Sequence, residues 1–237
     1  MNKFKKVFSA VAASVMLISS TLTCMAATPT SLVVVRTDFS DTSIPVAAPL
    51  LQYSGTGDSV LSDVALPEGY AYKITFTHDG KSNFIVKFIN GDRTDHLVNK
   101  IGAYAGTVLL ENGSTAARTG IFEIKADGNW TITVSTVTNS STRCLSGVGD
   151  KVSGTFKLTS KNTTVNIVST GDSNIIVHAH FSNGRTQHLV NEIGAYSGQV
   201  VLKNPKNTTC YIEVISNGDW SIDLGYGDDA CIVPDIN

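Results

Sequence analysis

His96–Gly106 reads HLVNKIGAYAG and His188–Gly198 reads HLVNEIGAYSG. Nine of the eleven positions are identical, so the chain carries one segment twice and its fold is to be read as a pair of related units. The likeness extends outward on both sides. Ser54-Gly55-Thr56-Gly57-Asp58 recurs as Ser146-Gly147-Val148-Gly149-Asp150, and Ser82-Asn83-Phe84-Ile85-Val86 as Ser173-Asn174-Ile175-Ile176-Val177. Gly128-Asn129-Trp130 answers to Gly218-Asp219-Trp220. The spacing predicts an internal duplication with repeat 1 at 54–134, a Ser/Thr-rich linker at 135–145 and repeat 2 at 146–224, followed by a tail at 225–237.

Within each unit the apolar residues alternate with period two, which is strand patterning. Tyr72, Ile74 and Phe76 alternate with Lys73, Thr75 and Thr77, and Trp130, Ile132 and Val134 with Thr131 and Thr133. Asp127-Gly128 and Asn217-Gly218 are strong hairpin dipeptides. No stretch holds a helical period. The expectation is an all-β chain of two tandem antiparallel β-sandwich, jelly-roll-like domains, each with about seven short strands at the spacing such sandwiches use. The segment Asn99–Ala105 is too irregular for a tight hairpin and is expected to arch from one sheet to the other.

The N-terminus carries Lys3, Lys5 and Lys6 ahead of an uncharged, largely apolar run from Val7 to Leu22, ending in small residues at Ala26 and Ala27. This reads as a secretory signal peptide over 1–27, followed by an extension at 28–53. Cys24 as a lipidation site is disfavoured, because Thr23 and Thr21 stand where a small residue and Leu are wanted. Removing 1–27 takes away three lysines and no acid, so the net charge moves from −2 to −5. No other apolar run is long enough to span a bilayer. A secreted, mildly acidic protein with no basic excess is not expected to bind nucleic acid.

The pattern GxGD … SNFxV … LVNxIGxYxG … GxW resembles a repeat seen in secreted or surface proteins of bacteria. The resemblance covers nearly the whole of both copies. It implies a β-sandwich at the cell exterior and transfers no chemistry, because that repeat has none assigned. Strand count and size are also similar to pre-peptidase C-terminal domains, a likeness of fold alone.

Trp130 and Trp220 share a face with apolar neighbours, so the periodicity predicts core rather than sugar-stacking platforms. Tyr104 and Tyr196 fall in the arch between glycines, and Asn99 and Asn191 begin it. Loops on a rigid sandwich commonly carry binding, which makes these four the candidate ligand-binding residues. The competing reading is structural: Asn caps the turn, Gly supplies a positive φ, and Tyr plugs the end of the sandwich. His96 and His188 are expected on the surface. His178-Ala179-His180 places two imidazoles on one strand face at ligand-like spacing, but the sequence offers no third ligand, so no metal or cofactor is expected. Glu123 and Glu213 read as single exposed glutamates, Asp58 and Asp150 as Asx-turn residues. No nucleophile elbow, zinc-protease helix or phosphate loop is present, so the chain is read as non-catalytic.

Of the cysteines beyond the signal, Cys144 and Cys231 flank repeat 2 and Cys210 opens a strand. Export favours a disulfide. The expected pair is Cys144–Cys231, closing a loop of about 87 residues worth roughly 4 kcal/mol in the chain-entropy account, with Cys210 a buried thiol; Cys210–Cys231 is the alternative. Two functions remain open. One is a secreted binding module for carbohydrate or a cell-wall polymer, which needs an aromatic beside polar side chains in a groove. The other is a structural or protein-interaction protein of the cell exterior, in which the arches are corners.

Overall fold

A computed structural model describes residues 49–225, apart from 70, 112–115, 159, 206 and 207. The signal segment 1–27 and Cys231 lie outside the described residues. Those described belong to one compact unit, Pro45–Asn237, and contain strands and no helix. No helix there is long and apolar enough to cross a membrane.

Repeat 1 contains β1 (Leu51–Thr56), β2 (Ser59–Leu66), β3 (Ala71–His78), β4 (Asn83–Asn90), β5 (Arg93–Ile101), β6 (Tyr104–Glu111), β7 (Arg118–Lys125) and β8 (Asn129–Thr136). They form two antiparallel sheets, ordered β1-β8-β3-β6 and β2-β7-β4-β5. Repeat 2 contains β9 (Cys144–Val148), β10 (Lys151–Val152), β11 (Asn162–Ser169), β12 (Asn174–Phe181), β13 (Thr186–Ile193), β14 (Tyr196–Lys203), β15 (Cys210–Ile215) and β16 (Asp219–Asp223). Its sheets run β9-β16-β11-β14 and β10-β15-β12-β13. Strand for strand this is the same winding, that of a jelly roll.

Among the described residues each repeat has eight strands where the sequence suggested about seven. The strand missed is the first. β1 starts at Leu51, ahead of the expected boundary at 54, and pairs with β8 from Leu51↔Val134 to Thr56↔Asn129. Its residues LQYSGT alternate only as far as Tyr53, because Gly55, the next residue on the inward face, supplies no apolar side chain.

Alternation sets the cores. Tyr72, Ile74 and Phe76 of β3 are fully buried, while Thr75 and Thr77 face outward. With Phe84, Phe88, Phe122, Trp130 and Ile132 they fill the space between the sheets of repeat 1. Ile167, Ile175, Val177, Phe181, Trp220 and Ile222 do so in repeat 2. Each such side chain contributes roughly 1.5–3 kcal/mol by burial.

The repeated GxGD…GxW signature is one packing unit. Trp130 Nε1 donates to Gly57 O at 2.9 Å, and Trp220 Nε1 to Gly149 O at 2.9 Å. A Cβ on Gly55 would lie 2.4 Å from Trp130 Cζ2, so the first glycine makes room for the indole. Gly57 and Gly149 hold φ of 70° and 68°, the left-handed region that glycine occupies without steric cost. Asp58 Oδ1 accepts from Ala126 N at 2.9 Å and Asp150 Oδ1 from Ser216 N at 3.0 Å. These aspartates therefore tie the β1–β2 and β9–β10 turns to the ends of β7 and β15, instead of forming isolated Asx-turns.

The linker is held down on repeat 2. Thr155 N donates to Thr138 O and Ser140 N to Thr155 O, both at 2.7 Å. The free edge of β6 is covered by repeat 2, since Thr107 N donates to Asp150 O at 2.8 Å. The matching edge of β14 is treated differently: the Gln187 side chain donates to Val201 O and accepts from Lys203 N, imitating a neighbouring strand where an unpaired edge would invite association.

Candidate functional site

The chain crosses between sheets where its irregularity suggested, but the crossing is only Gly102 and Ala103, not Asn99–Ala105: β5 runs on to Ile101, and Tyr104 and Tyr196 are the first residues of β6 and β14 rather than arch residues. β5 lies in one sheet of repeat 1 and β6 in the other, with Gly102 at the corner at φ 86° and Gly194 at φ 88° in repeat 2. Gly102 N donates to Ser82 O at 2.8 Å and Gly194 N to Ser173 O at 2.9 Å. The His78 imidazole hydrogen-bonds Gly102 O through Nδ1 at 2.9 Å and stacks on Phe84. Asn99 and Asn191 do not start the turn. They lie within β5 and β13, exposed, opposite Ile85 and Ile176.

Tyr104 and Tyr196 are each half-buried against the core of their own repeat, with the ring laid over the glycine two residues on. A Cβ at Gly106 or Gly198 would sit 2.3 or 2.4 Å from the Tyr Oη. Their hydroxyls differ. Tyr104 Oη donates to Asp150 Oδ2 of repeat 2 at 2.8 Å. Burial, then the Asp150 charge and the hydrogen bond to it, push the Tyr104 phenol well above its ordinary range. Lys100 Nζ lies 3.7 Å from the same carboxylate. Lys73 Nζ donates to Val152 O at 3.2 Å, and burial draws its pKa down. Thus Lys100, where repeat 2 has Glu192, belongs to the seam between repeats.

Beside the arch of repeat 1 is a cleft of about 500 Å³ lined by Thr77–Asp79, Ala103–Ala105 and Asn129–Thr131. Tyr104 lines one side. Thr77 and Thr131 join hydroxyls at 2.6 Å, and Asp79 accepts from Asn129 N and Nδ2 at 2.7 and 2.8 Å. Those hydrogen bonds hold the Asp79 carboxyl below its usual range. Both Trp are buried, as their periodicity predicted. In repeat 2 the residues matching Thr77 and Thr131 in the sheet, Val168 and Ser221, are themselves buried, so the two arches stand in different surroundings. Ile101 and Ile193, at the same place in each arch, are 81% and 82% exposed. No strand period marks this pair as exposed; the signal for it in the sequence is its repetition within HLVNKIG and HLVNEIG.

The largest departure from expectation lies on the outer face of β12. His178 and His180 find the third group that the sequence did not show: Glu213 of β15, directly opposite His178 in the ladder. Glu213 is not an exposed glutamate; its side chain is 15% exposed. Its Oε2 lies 3.3 Å from His178 Nδ1 and 3.2 Å from His180 Nε2. Glu111, at the end of β6 in repeat 1, reaches over to place Oε1 at 3.0 Å from His180 Nδ1. The His180 ring stacks on Tyr211, whose hydroxyl donates to Glu111 at 3.3 Å. His188, exposed, meets His178 edge to face across the strand pair. Burial opposes charge on His180, but hydrogen bonds and charge from Glu111 and Glu213 outweigh it and raise its pKa to about 9. Burial likewise opposes ionisation of Glu213, and the two histidines overcome it, bringing its pKa to about 2.

Cys210 is a free thiol with no exposed surface, and burial pushes its pKa up to about 12. Cys144 is disulfide-bonded. Its expected partner, Cys231, lies outside the described residues.

No family model matches the chain, and no curated protein matches it in sequence.

Proposed function

We propose that this is a non-catalytic binding module of the cell exterior that takes carbohydrate, as a free glycan or part of a cell-wall polymer, in the cleft of repeat 1. The observation that carries the reading is that cleft, about 500 Å³, with Tyr104 on one wall and Thr77, Thr131, Asp79 and Asn129 around it. Sugar recognition uses an apolar ring face beside convergent hydrogen-bonding groups. Thr75, Thr77, Thr107, Thr131 and Thr133 continue the hydroxyl-bearing surface across the outside of the sheet. The signal-like N-terminus, the acidic mature charge and the resemblance to repeats of secreted bacterial proteins support export. The test is a glycan array and a panel of insoluble wall polymers probed with the mature chain, 28–237, and with Asn129→Ala. Binding by the former that is weakened by the substitution supports the proposal; silence on every glycan and polymer overturns it.

The second reading, a structural or protein-interaction role, is favoured by Ile101 and Ile193. Single exposed apolar residues are ordinary, but here the same large side chain stands out at the same point of both arches. On this reading Ile101→Asp with Ile193→Asp abolishes cell-surface retention, while Asn129→Ala leaves it intact.

A further inference from the structure

We propose that His178, His180 and Glu213 form a binding site for a divalent transition-metal cation of the zinc class, with Glu111 of repeat 1 as its outer carboxylate. The three ligand atoms lie within 4.8 Å of one another, and two of the three separations, His178 and His180 each to Glu213 at 3.3 and 3.2 Å, match a tetrahedron's edge. Metal–ligand bonds of ~2.0–2.1 Å at tetrahedral angles place neighbouring ligands about 3.3–3.4 Å apart. Two imidazoles and one carboxylate suit zinc, and leave a fourth position for water. Calcium or magnesium, which want six or more oxygens or an octahedral shell, are not served by this set.

The surroundings fit as well as the ligands. A metal-bound imidazole ordinarily gives its second N–H to a carboxylate, which fixes the ring and raises its basicity. His180 is arranged this way: Nε2 faces Glu213 and Nδ1 faces Glu111 Oε1. Tyr211 holds the ring by stacking 7° from parallel and hydrogen-bonds the same Glu111. The His178 side chain is 19% exposed, which leaves a path for entry. Because Glu111 comes from the other repeat, an ion here would also fasten the seam.

Among the described residues repeat 1 has no such set. Lys87 stands opposite Glu123, at the positions of His178 and Glu213, and its Nζ donates to Glu123 at 2.7 Å. The ammonium occupies the place that the imidazole and a cation would share in repeat 2.

The experiment uses the mature full chain, stripped with chelator and titrated with zinc chloride by calorimetry, with metal content measured after gel filtration. About one zinc per chain is expected, with cobalt(II) giving the intense visible absorption of a four-coordinate site. His178→Ala, at a partly exposed position that spares the core, should lose retention and that absorption. Glu111→Gln should weaken zinc about 10–100-fold, the effect of removing an outer carboxylate. His96→Ala, an exposed histidine of repeat 1, should change nothing. Circular dichroism of each variant separates lost ligation from lost fold. No retained zinc in the wild-type chain, an octahedral cobalt spectrum, or zinc affinity unchanged in folded His178→Ala and Glu213→Gln would overturn the assignment.

Discussion

Tyr104 of repeat 1 donates its hydroxyl to Asp150 of repeat 2 at 2.8 Å, and the acceptor is 5% exposed. The same carboxylate takes Ser216 N through its other oxygen, so one buried aspartate closes its own repeat and fastens it to the next. Tyr104→Phe should therefore cost about 1.5–3 kcal/mol, the range for a hydrogen bond to a charged acceptor. Tyr196→Phe, for whose hydroxyl no such bond to a carboxylate is found among the described residues, should cost far less. Urea unfolding of the two variants decides. Equal losses would mean that the hydroxyl does nothing at the seam.

The GxGD glycines should differ in tolerance. A methyl at Gly55 meets Trp130 Cζ2 at 2.4 Å, and at Gly147 it meets Trp220 Cζ2 at 2.9 Å. Overpacking of this kind costs roughly 1–3 kcal/mol. Gly55→Ala should fall at the upper end and Gly147→Ala at the lower, with near-ultraviolet circular dichroism reporting a displaced indole in the first. A neutral Gly55→Ala would remove the packing explanation of the motif.

Stability in the presence of chelator should depend on pH through the histidine clamp. His180 titrates near 6.5 when unfolded and at about 9 when folded, so its contribution is complete below 6.5 and disappears as pH rises toward 9. Glu213 goes from 4.5 to about 2, so its contribution is present above 4.5 and disappears as pH falls toward 2. The groups facing His180 are Glu111, Glu213, Thr186, Tyr211 and His178. The melting temperature should be highest between about pH 4.5 and 6.5 and decline toward 9. His180→Gln should flatten the alkaline decline; a slope unchanged by that substitution assigns it elsewhere.

Cysteine chemistry gives a separate check. Cys210, fully buried and with its pKa at about 12, should resist alkylation in the native chain and react once the chain is unfolded. Non-reducing peptide mapping should recover Cys144 linked to Cys231. A linked peptide containing Cys210 contradicts both statements.

What the sequence disclosed and withheld has a physical pattern. The Trp positions were legible because Trp130, Ile132 and Val134 alternate on one strand, and local period fixes which face is inward. The arch was legible because Gly102 breaks strand patterning and recurs as Gly194. The histidine cluster was not. His180 and Glu111 are 69 residues apart and belong to different repeats, and Glu213 looks like a solvent-facing residue on its own strand. It is held among His178 and His180 of the neighbouring strand, with Glu111 of repeat 1 on the far side of His180, an arrangement no period along its own strand encodes. The one available sign was comparative: where repeat 1 has Lys87 and Ile89, repeat 2 has His178 and His180.

Two jelly rolls are fastened into one body by Tyr104–Asp150, Lys73–Val152 and the Glu111–His180–Glu213 clamp. Differential scanning calorimetry of the mature chain tests it most directly. A single endotherm, with calorimetric enthalpy equal to the van't Hoff enthalpy, is the predicted result. Two resolved transitions, unshifted by Tyr104→Phe, would contradict it.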